Sequence, residues 1–246
     1  MTTEAFPRWG TIAPTAVHGD VEQDARRLAG LVAGGERLLA ALPSCPDRAP
    51  HDRERAAAIH ERARRVRRAF LARHAESVYG LLTDGLTRPV RLPELVYEAA
   101  EHFPGLVPTR AQMDAERELV QADKEGREID QALFCGAVLR SPTAGHHLVE
   151  TMLRPTPRAI GLLDAFRANG RAELETVHVE RRGAAAHVEF RNAGRLNAED
   201  DRLIADLDTA VDLALLDDAV KVGVLRGGTV DHPKYRGGAS SAPVST

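Results

Sequence analysis

The chain has 246 residues, 43% hydrophobic, 28% charged and 4% aromatic, which suits one larger or two small domains with cores of their own. Lys and Arg number 33 against 36 Asp and Glu, so the net charge of −3 excludes a global electrostatic pull toward nucleic acid or an anionic membrane. Cys45 and Cys135 lie far apart without C-x-x-C or Cys/His spacing, which excludes a disulfide framework and a structural zinc site. No apolar run approaches the ~20 residues of a membrane span. Residues 1–20, with Glu4, Pro7 and Pro14, lack the basic cap and apolar stretch of a secretion signal. The expectation is a cytoplasmic chain with neither leader nor anchor.

Helical spacing dominates to about Gly170, and strand-like alternation follows it. Asp20 is placed to cap a first helix on which Val21, Ala25, Leu28, Val32, Leu39 and Leu42 recur at helical steps, with Gly34-Gly35 as a point of bending. A long helix is expected from His51 to Leu82. Ile59, Ala63, Val66 and Phe70 form its apolar stripe, and Arg62, Arg64, Arg65, Arg68 and Arg73 fill much of the remainder. Four prolines between 89 and 108 leave room for only a short helix, Pro93 to His102. Thr109 caps an acidic helix leading into Ile129–Leu139, where Ile129, Leu133, Ala137 and Val138 are the expected core positions. Helices at Gly145–Leu153 and Pro157–Ala168 complete this part, and Asn169-Gly170 supplies a C-cap.

The second part reads strand, turn, strand, helix, strand. Leu174 to Glu180 is β-rich, Arg182-Gly183 turns the chain, and Ala186, Val188 and Phe190 alternate with polar residues. Asn197 is the expected N-cap of a helix with Glu199, Asp200 and Asp201 in its first turn, and Leu203, Ile204, Leu207, Val211 and Leu215 on its buried face. Val220 to Leu225 returns as a strand, which calls for a parallel crossover.

Three features invite chemistry and are outweighed by plainer readings. His146-His147 with Glu150 has H-x-x-E spacing, yet no third metal ligand is evident, and a solvated or core-capping role is favoured. The arginine-rich face of the long helix could contact phosphates, but Asp52, Glu54, Glu61 and Glu76 interleave with it. Gly227-Gly228 follows a strand without the G-x-x-x-x-G-K-[ST] pattern or a succeeding helix, so a nucleotide loop is rejected.

The informative stretch runs Phe190-Arg191-Asn192-Ala193-Gly194-Arg195-Leu196-Asn197-Ala198-Glu199, then the helix, then Val220 to Gly228 and His232-Pro233-Lys234-Tyr235. Its L-N-A and V-L-R-G pieces resemble the opening of the crotonase (enoyl-CoA hydratase/isomerase) superfamily. R-N-A-G-R-L-N-A-E-D-D together with H-P-K-Y resembles the cofactor-independent acyl-CoA dioxygenases within it. The helical part resembles the long N-terminal extension of those enzymes.

The resemblance implies an α+α/β chain: a helical domain at 1–170, the opening ββαβ portion of a crotonase-like fold at 171–236, and an unstructured tail at 237–246. It implies an oxidoreductase that converts a dihydroxyphenylacetyl-CoA and O2 to the arylglyoxylate and CoA, on the route to dihydroxyphenylglycine in glycopeptide antibiotics. No metal or flavin is implied, and the assembly is a homo-oligomer, trimer or hexamer. Backbone N–H groups would hold the thioester oxygen as an enolate, whose carbanion reacts with O2 in a site kept dry.

By the same correspondence Glu199 accepts from a substrate ring hydroxyl, the loop at Ala193 passes CoA, and Arg195 and Lys234 meet phosphates. His232, Pro233 and Tyr235 complete the CoA-side segment. Plain readings stand beside these: a helix-start charge for Glu199, a solvated loop arginine for Arg195, and a turn for 232–235. Generic hydratase or isomerase chemistry and a non-catalytic helical assembly module remain the competing functions.

The resemblance breaks after His232-Pro233-Lys234-Tyr235-Arg236-Gly237. The family continues Arg-Arg-Val-Phe-Ser-Ala-Gly-Ile-Asn-Leu, a segment supplying an oxyanion-hole N–H, where this chain reads Gly238-Ala239-Ser240-Ser241-Ala242-Pro243-Val244-Ser245-Thr246. Codons chosen for this tail regenerate the family segment once a single C is restored after that of Gly237. The expectation is therefore a one-base frameshift, a chain carrying no catalytic group of its own, and an exposed sheet edge prone to aggregation.

Overall fold

The computed structural model describes residues 21–230. The chain divides into two compact units, whose described parts are 21–152 and 153–230.

The first unit is all-helical: α1 (Val21–Ala40), α2 (Pro50–Leu82), α3 (Leu92–His102), α4 (Arg110–Arg117), α5 (Arg127–Arg140) and α6 (Pro142–Met152), with 3-10 turns at Cys45–Asp47 and Gln121–Asp123. Helix α2 is the axis against which α1, α3, α5 and α6 pack. Leu28, Phe70, Val78, Tyr79, Leu95, Leu106, Phe134 and Leu148 form the core. At about 1.5–3 kcal/mol per buried side chain, these residues dominate its stability. The proposed cap Asp20 lies outside the described residues. Helix α1 runs unbroken through Gly34-Gly35, since Leu39 beyond the pair is buried in register with Leu28 and Val32.

Thr109 caps α4 as the sequence suggested, in a reciprocal capping box with Gln112. Helix α4 does not run on into α5. Buried Glu116 accepts the N–H groups of Glu125 (3.1 Å) and Arg127 (2.9 Å), so its carboxylate serves the start of α5. Ile129, an expected core position, is exposed. The reason is its neighbour: Asp130 turns inward, pairing with Arg64 and Arg67 at 3.0 Å each. Arg67 also donates to the Gly105 carbonyl at 2.9 Å, so the buried charges are paired and hydrogen-bonded.

The second unit holds α7 (Pro157–Asn169), β1 (Arg171–Glu173), β2 (Val177–Arg182), β3 (Ala185–Phe190), a 3-10 turn (Ala193–Arg195), α8 (Asp201–Leu216) and β4 (Val222–Gly227). The sheet order is β1-β2-β3-β4, antiparallel until β3 and β4, which run parallel through the α8 crossover. Of the strand expected at 174–180 only the part from Val177 on is strand, as β2, and β1 precedes it at Arg171–Glu173, because the chain folds back between Glu173 and Val177.

Helix α7 belongs to this unit, so the division falls at 152/153 and not at 170. Ala159 and Phe166 bury into the second core with Val177, Val179, Val188, Leu203 and Leu213. Gly170 ends α7 at φ +68 and donates its N–H to the Phe166 carbonyl, the left-handed C-cap that a glycine adopts without strain.

Helix α8 buries Leu203, Asp206, Ala210 and Leu213, while Ile204 and Leu215, both expected inside, are exposed. Asp206 rotates the face. It accepts from the Thr176 N–H (2.7 Å), the Thr176 hydroxyl (2.9 Å) and Arg158 (2.5 Å). Burial raises its pKa, but these donors more than offset the effect and hold it below the usual aspartate range. Strand β4 ends the sheet order with Val222 and Leu225 exposed.

Candidate functional site

The parallel pair brings two chain exits together. Phe190 at the end of β3 is in register with Gly227 at the end of β4, so loop 191–200 and the segment after β4 emerge side by side. Ligand sites of α/β sheets lie at such carboxyl-end crevices.

Three interactions shape this end. The Gly228 N–H donates to the Phe190 carbonyl at 2.7 Å. A Cβ on Gly228 would lie 2.6 Å from that same oxygen, so only glycine fits. Asn197, 1% exposed, donates from Nδ2 to the Gly228 carbonyl at 2.9 Å, tying the loop to the strand exit. Leu196 (φ +54) and Asn197 (φ +59) are consecutive left-handed residues, a conformation Asn tolerates and Leu resists. The Asn197 Oδ1 atom is buried without a hydrogen-bond partner among the described residues.

Asn197 is thus not the helix cap. Asp200 caps α8, accepting the Leu203 N–H at 2.9 Å, and Asn192 bridges from Nδ2 to the Ala198 carbonyl and the Asp200 carboxylate. The Leu203 N–H bond is the main reason the Asp200 carboxyl sits below its ordinary range. Glu199 lies before the cap, exposed, and not in the first helical turn; the two left-handed residues delay the start of α8 to Asp201. Ala193 and Arg195 occupy the exposed 3-10 turn. The structure therefore gathers Ala193, Arg195 and Glu199 into one exposed loop beside the β4 exit. His232, Pro233, Lys234 and Tyr235 lie outside the described residues.

Sequence reasoning missed the clamp role of Asn197. Its signal was the L-N-A string itself, read for capping and for resemblance and not for a tie to the strand exit. The H-x-x-E spacing also resolves: His147 Nδ1 bonds the Tyr79 hydroxyl at 2.8 Å, while His146 faces Glu150 at 3.7 Å on the surface. No group of three or more metal-ligating side chains occurs among the described residues. Burial raises the thiol pKa of both Cys45 and Cys135, which disfavours a thiolate at either. No described helix is long and apolar enough to cross a membrane.

This chain is similar to a dioxygenase. Over 214 residues, 87% of its length, it is 49% identical to the (3,5-dihydroxyphenyl)acetyl-CoA 1,2-dioxygenase of Amycolatopsis orientalis. It spans about half, 49%, of that relative. No family model matches the chain. Within the described structure, loop 191–200 beside the β4 exit is the candidate site.

Proposed function

We propose that the protein acts in the oxidation of (3,5-dihydroxyphenyl)acetyl-CoA by O2, giving the arylglyoxylate and free CoA. The 49% identity to the Amycolatopsis orientalis dioxygenase carries this reading. The reaction balances without another reactant: the Cα methylene loses both hydrogens, O2 supplies the ketone oxygen and one acid oxygen, and the thioester C–S bond breaks to leave CoA as a thiol. The chemistry needs no cofactor if the Cα proton is acidified by hydrogen bonds to the thioester oxygen.

In this reading the unit 153–230 is the opening of a crotonase-like fold, and its β3-α8-β4 crossover supports the assignment. Ala193 offers backbone to the passing CoA, Arg195 and Lys234 meet CoA phosphates, Glu199 accepts from a ring hydroxyl, and His232, Pro233 and Tyr235 wall the CoA side. Glu199, exposed on the loop beside the β4 exit, is free to reach a ligand there. The active form is a cytoplasmic homo-oligomer, a trimer or hexamer.

The test is to supply the thioester to the purified protein under oxygen and follow O2 uptake, arylglyoxylate and free thiol together. Saturable thioester binding without turnover is the expected outcome, since this chain carries no catalytic group of its own. Absence of turnover, combined with no saturable thioester binding under anaerobic conditions, would overturn the reading.

A further inference from the structure

The first unit contains a cavity of about 410 Å³ that the enzyme reading leaves unused. It lies where the Cys45–Asp47 turn, the N-terminal half of α2 and the 121–125 segment converge, lined by Arg48, Arg53, His60, Arg64, Lys124 and Glu125 among others. That volume is at the small end of ligand pockets and takes one phosphorylated group with room to spare.

Its floor is a buried polar triad. Arg48, with its side chain 5% exposed, pairs with Glu125 at 2.7 Å, and His60 bonds the other Glu125 oxygen at 2.8 Å. Burial alone would raise the Glu125 pKa; the bonds from His60 and Arg48 outweigh it and hold the carboxyl at about 2. The second carboxylate on the lining, Glu61, pairs with Arg68 at 3.0 Å. Both acidic groups facing the cavity are therefore already compensated.

The cations are not exhausted in the same way. Arg53 spends only Nε, on the Arg48 carbonyl at 3.1 Å, and its two terminal nitrogens have no partner among the described residues. Arg64 uses Nε on Asp130 and Nη2 on the carbonyls of Glu125 and Gly126, which fixes the guanidinium in place and leaves Nη1 over. Lys124 reaches the exposed Glu128 at 3.1 Å, a surface pair of the kind that yields readily. A fixed guanidinium, a second with an open fork and a nearby ammonium suit a tetrahedral oxyanion.

The geometry points to this cavity as a binding site for a phosphate group, held by Arg53, Arg64 and Lys124. The site lies wholly within the first unit and needs nothing from the second. Inorganic phosphate and the phosphate of a larger monoester present the same oxygens, and both are tested.

The experiment is calorimetric titration of the full chain at low ionic strength with inorganic phosphate, and in parallel with adenosine 5′-monophosphate. Saturable binding of one equivalent, weakened by added sodium chloride, is expected. Arg53→Ala and Lys124→Ala should each weaken it about tenfold, since each removes a charge-assisted bond. Arg53→Lys should recover part of the loss, and Arg73→Ala, exposed on α2 outside the cavity lining, should change nothing. Tighter binding of the nucleotide assigns the site to a monoester, and equal or weaker binding to free phosphate. Circular dichroism of each variant separates lost binding from lost fold, as Arg53 and Lys124 carry no buried pair. No saturable heat with either probe, or unchanged affinity in both folded alanine variants, overturns the proposal.

Discussion

Asn197 joins loop 191–200 to the exit of β4 through one hydrogen bond, 2.9 Å from its Nδ2 to the carbonyl of Gly228, made from a left-handed backbone at φ +59. The bond and the backbone conformation make opposite demands on substitution. Asn197→Gly loses the bond but relaxes the backbone, whereas Asn197→Ala loses the bond and keeps the strain. Urea unfolding should rank wild type above Asn197→Gly and Gly above Ala, with Ala about 1–2 kcal/mol below Gly. An alanine variant as stable as the glycine variant would refute the assignment.

Gly228→Ala places a Cβ 2.6 Å from the Phe190 carbonyl oxygen, and backbone cannot step aside as a side-chain tip can. The expected cost is about 1–3 kcal/mol, with the Phe190–Gly228 pairing loosened. Hydrogen exchange at the Gly228 amide should accelerate beyond the change in global stability.

Asp206→Ala removes the acceptor of two Thr176 donors and of Arg158 from the second core. Stranding the buried Thr176 groups should cost about 2–4 kcal/mol in denaturant unfolding. A loss within roughly 0.5 kcal/mol, the level of an ordinary surface change, would contradict the network.

Glu125 sets an acid limb to stability. Its carboxyl is depressed from the usual 4.5 to about 2, so its contribution is complete above about pH 4.5 and disappears as pH falls through about 2. Wild-type stability should decline across that window. Glu125→Gln should be less stable at neutral pH and show a flatter decline, and a slope identical to wild type would sink the assignment.

Glu199→Gln tests the substrate contact without touching the fold. Exposed and ahead of the cap, Glu199 should contribute within roughly 0.5 kcal/mol to stability. The thioester affinity of the variant should nevertheless fall several-fold. Unchanged affinity in a protein that binds the thioester would remove Glu199 from the site.

The candidate loop was legible in the order of its residues and not in their roles. Arg191 to Glu199 stood out as a string, and Ala193, Arg195 and Glu199 lie on one exposed loop. What misled was Asn197: Ser, Thr, Asp and Asn all make good caps, so local preference could not rank Asn197 against Asp200. The choice follows from Gly228, 31 residues away, whose carbonyl claims the Asn197 side chain.

The sequence by itself determined the helices from Val21 to Asn169 to within a few residues, the hairpin across Gly183, and a parallel return of the last described strand. Period, proline placement and capping residues act over a few neighbours and are written along the chain. Tertiary structure alone decided that Ile129 faces solvent, that α8 turns Asp206 inward in place of Ile204, that α7 joins the sheet, and that Arg48, His60 and Glu125 close on one another. Helix α7 joins by burying Phe166, and the other outcomes depend on a buried polar group finding a partner tens of residues away. An unpaired buried charge costs more than a misplaced apolar side chain, so the distant partner overrides the local pattern.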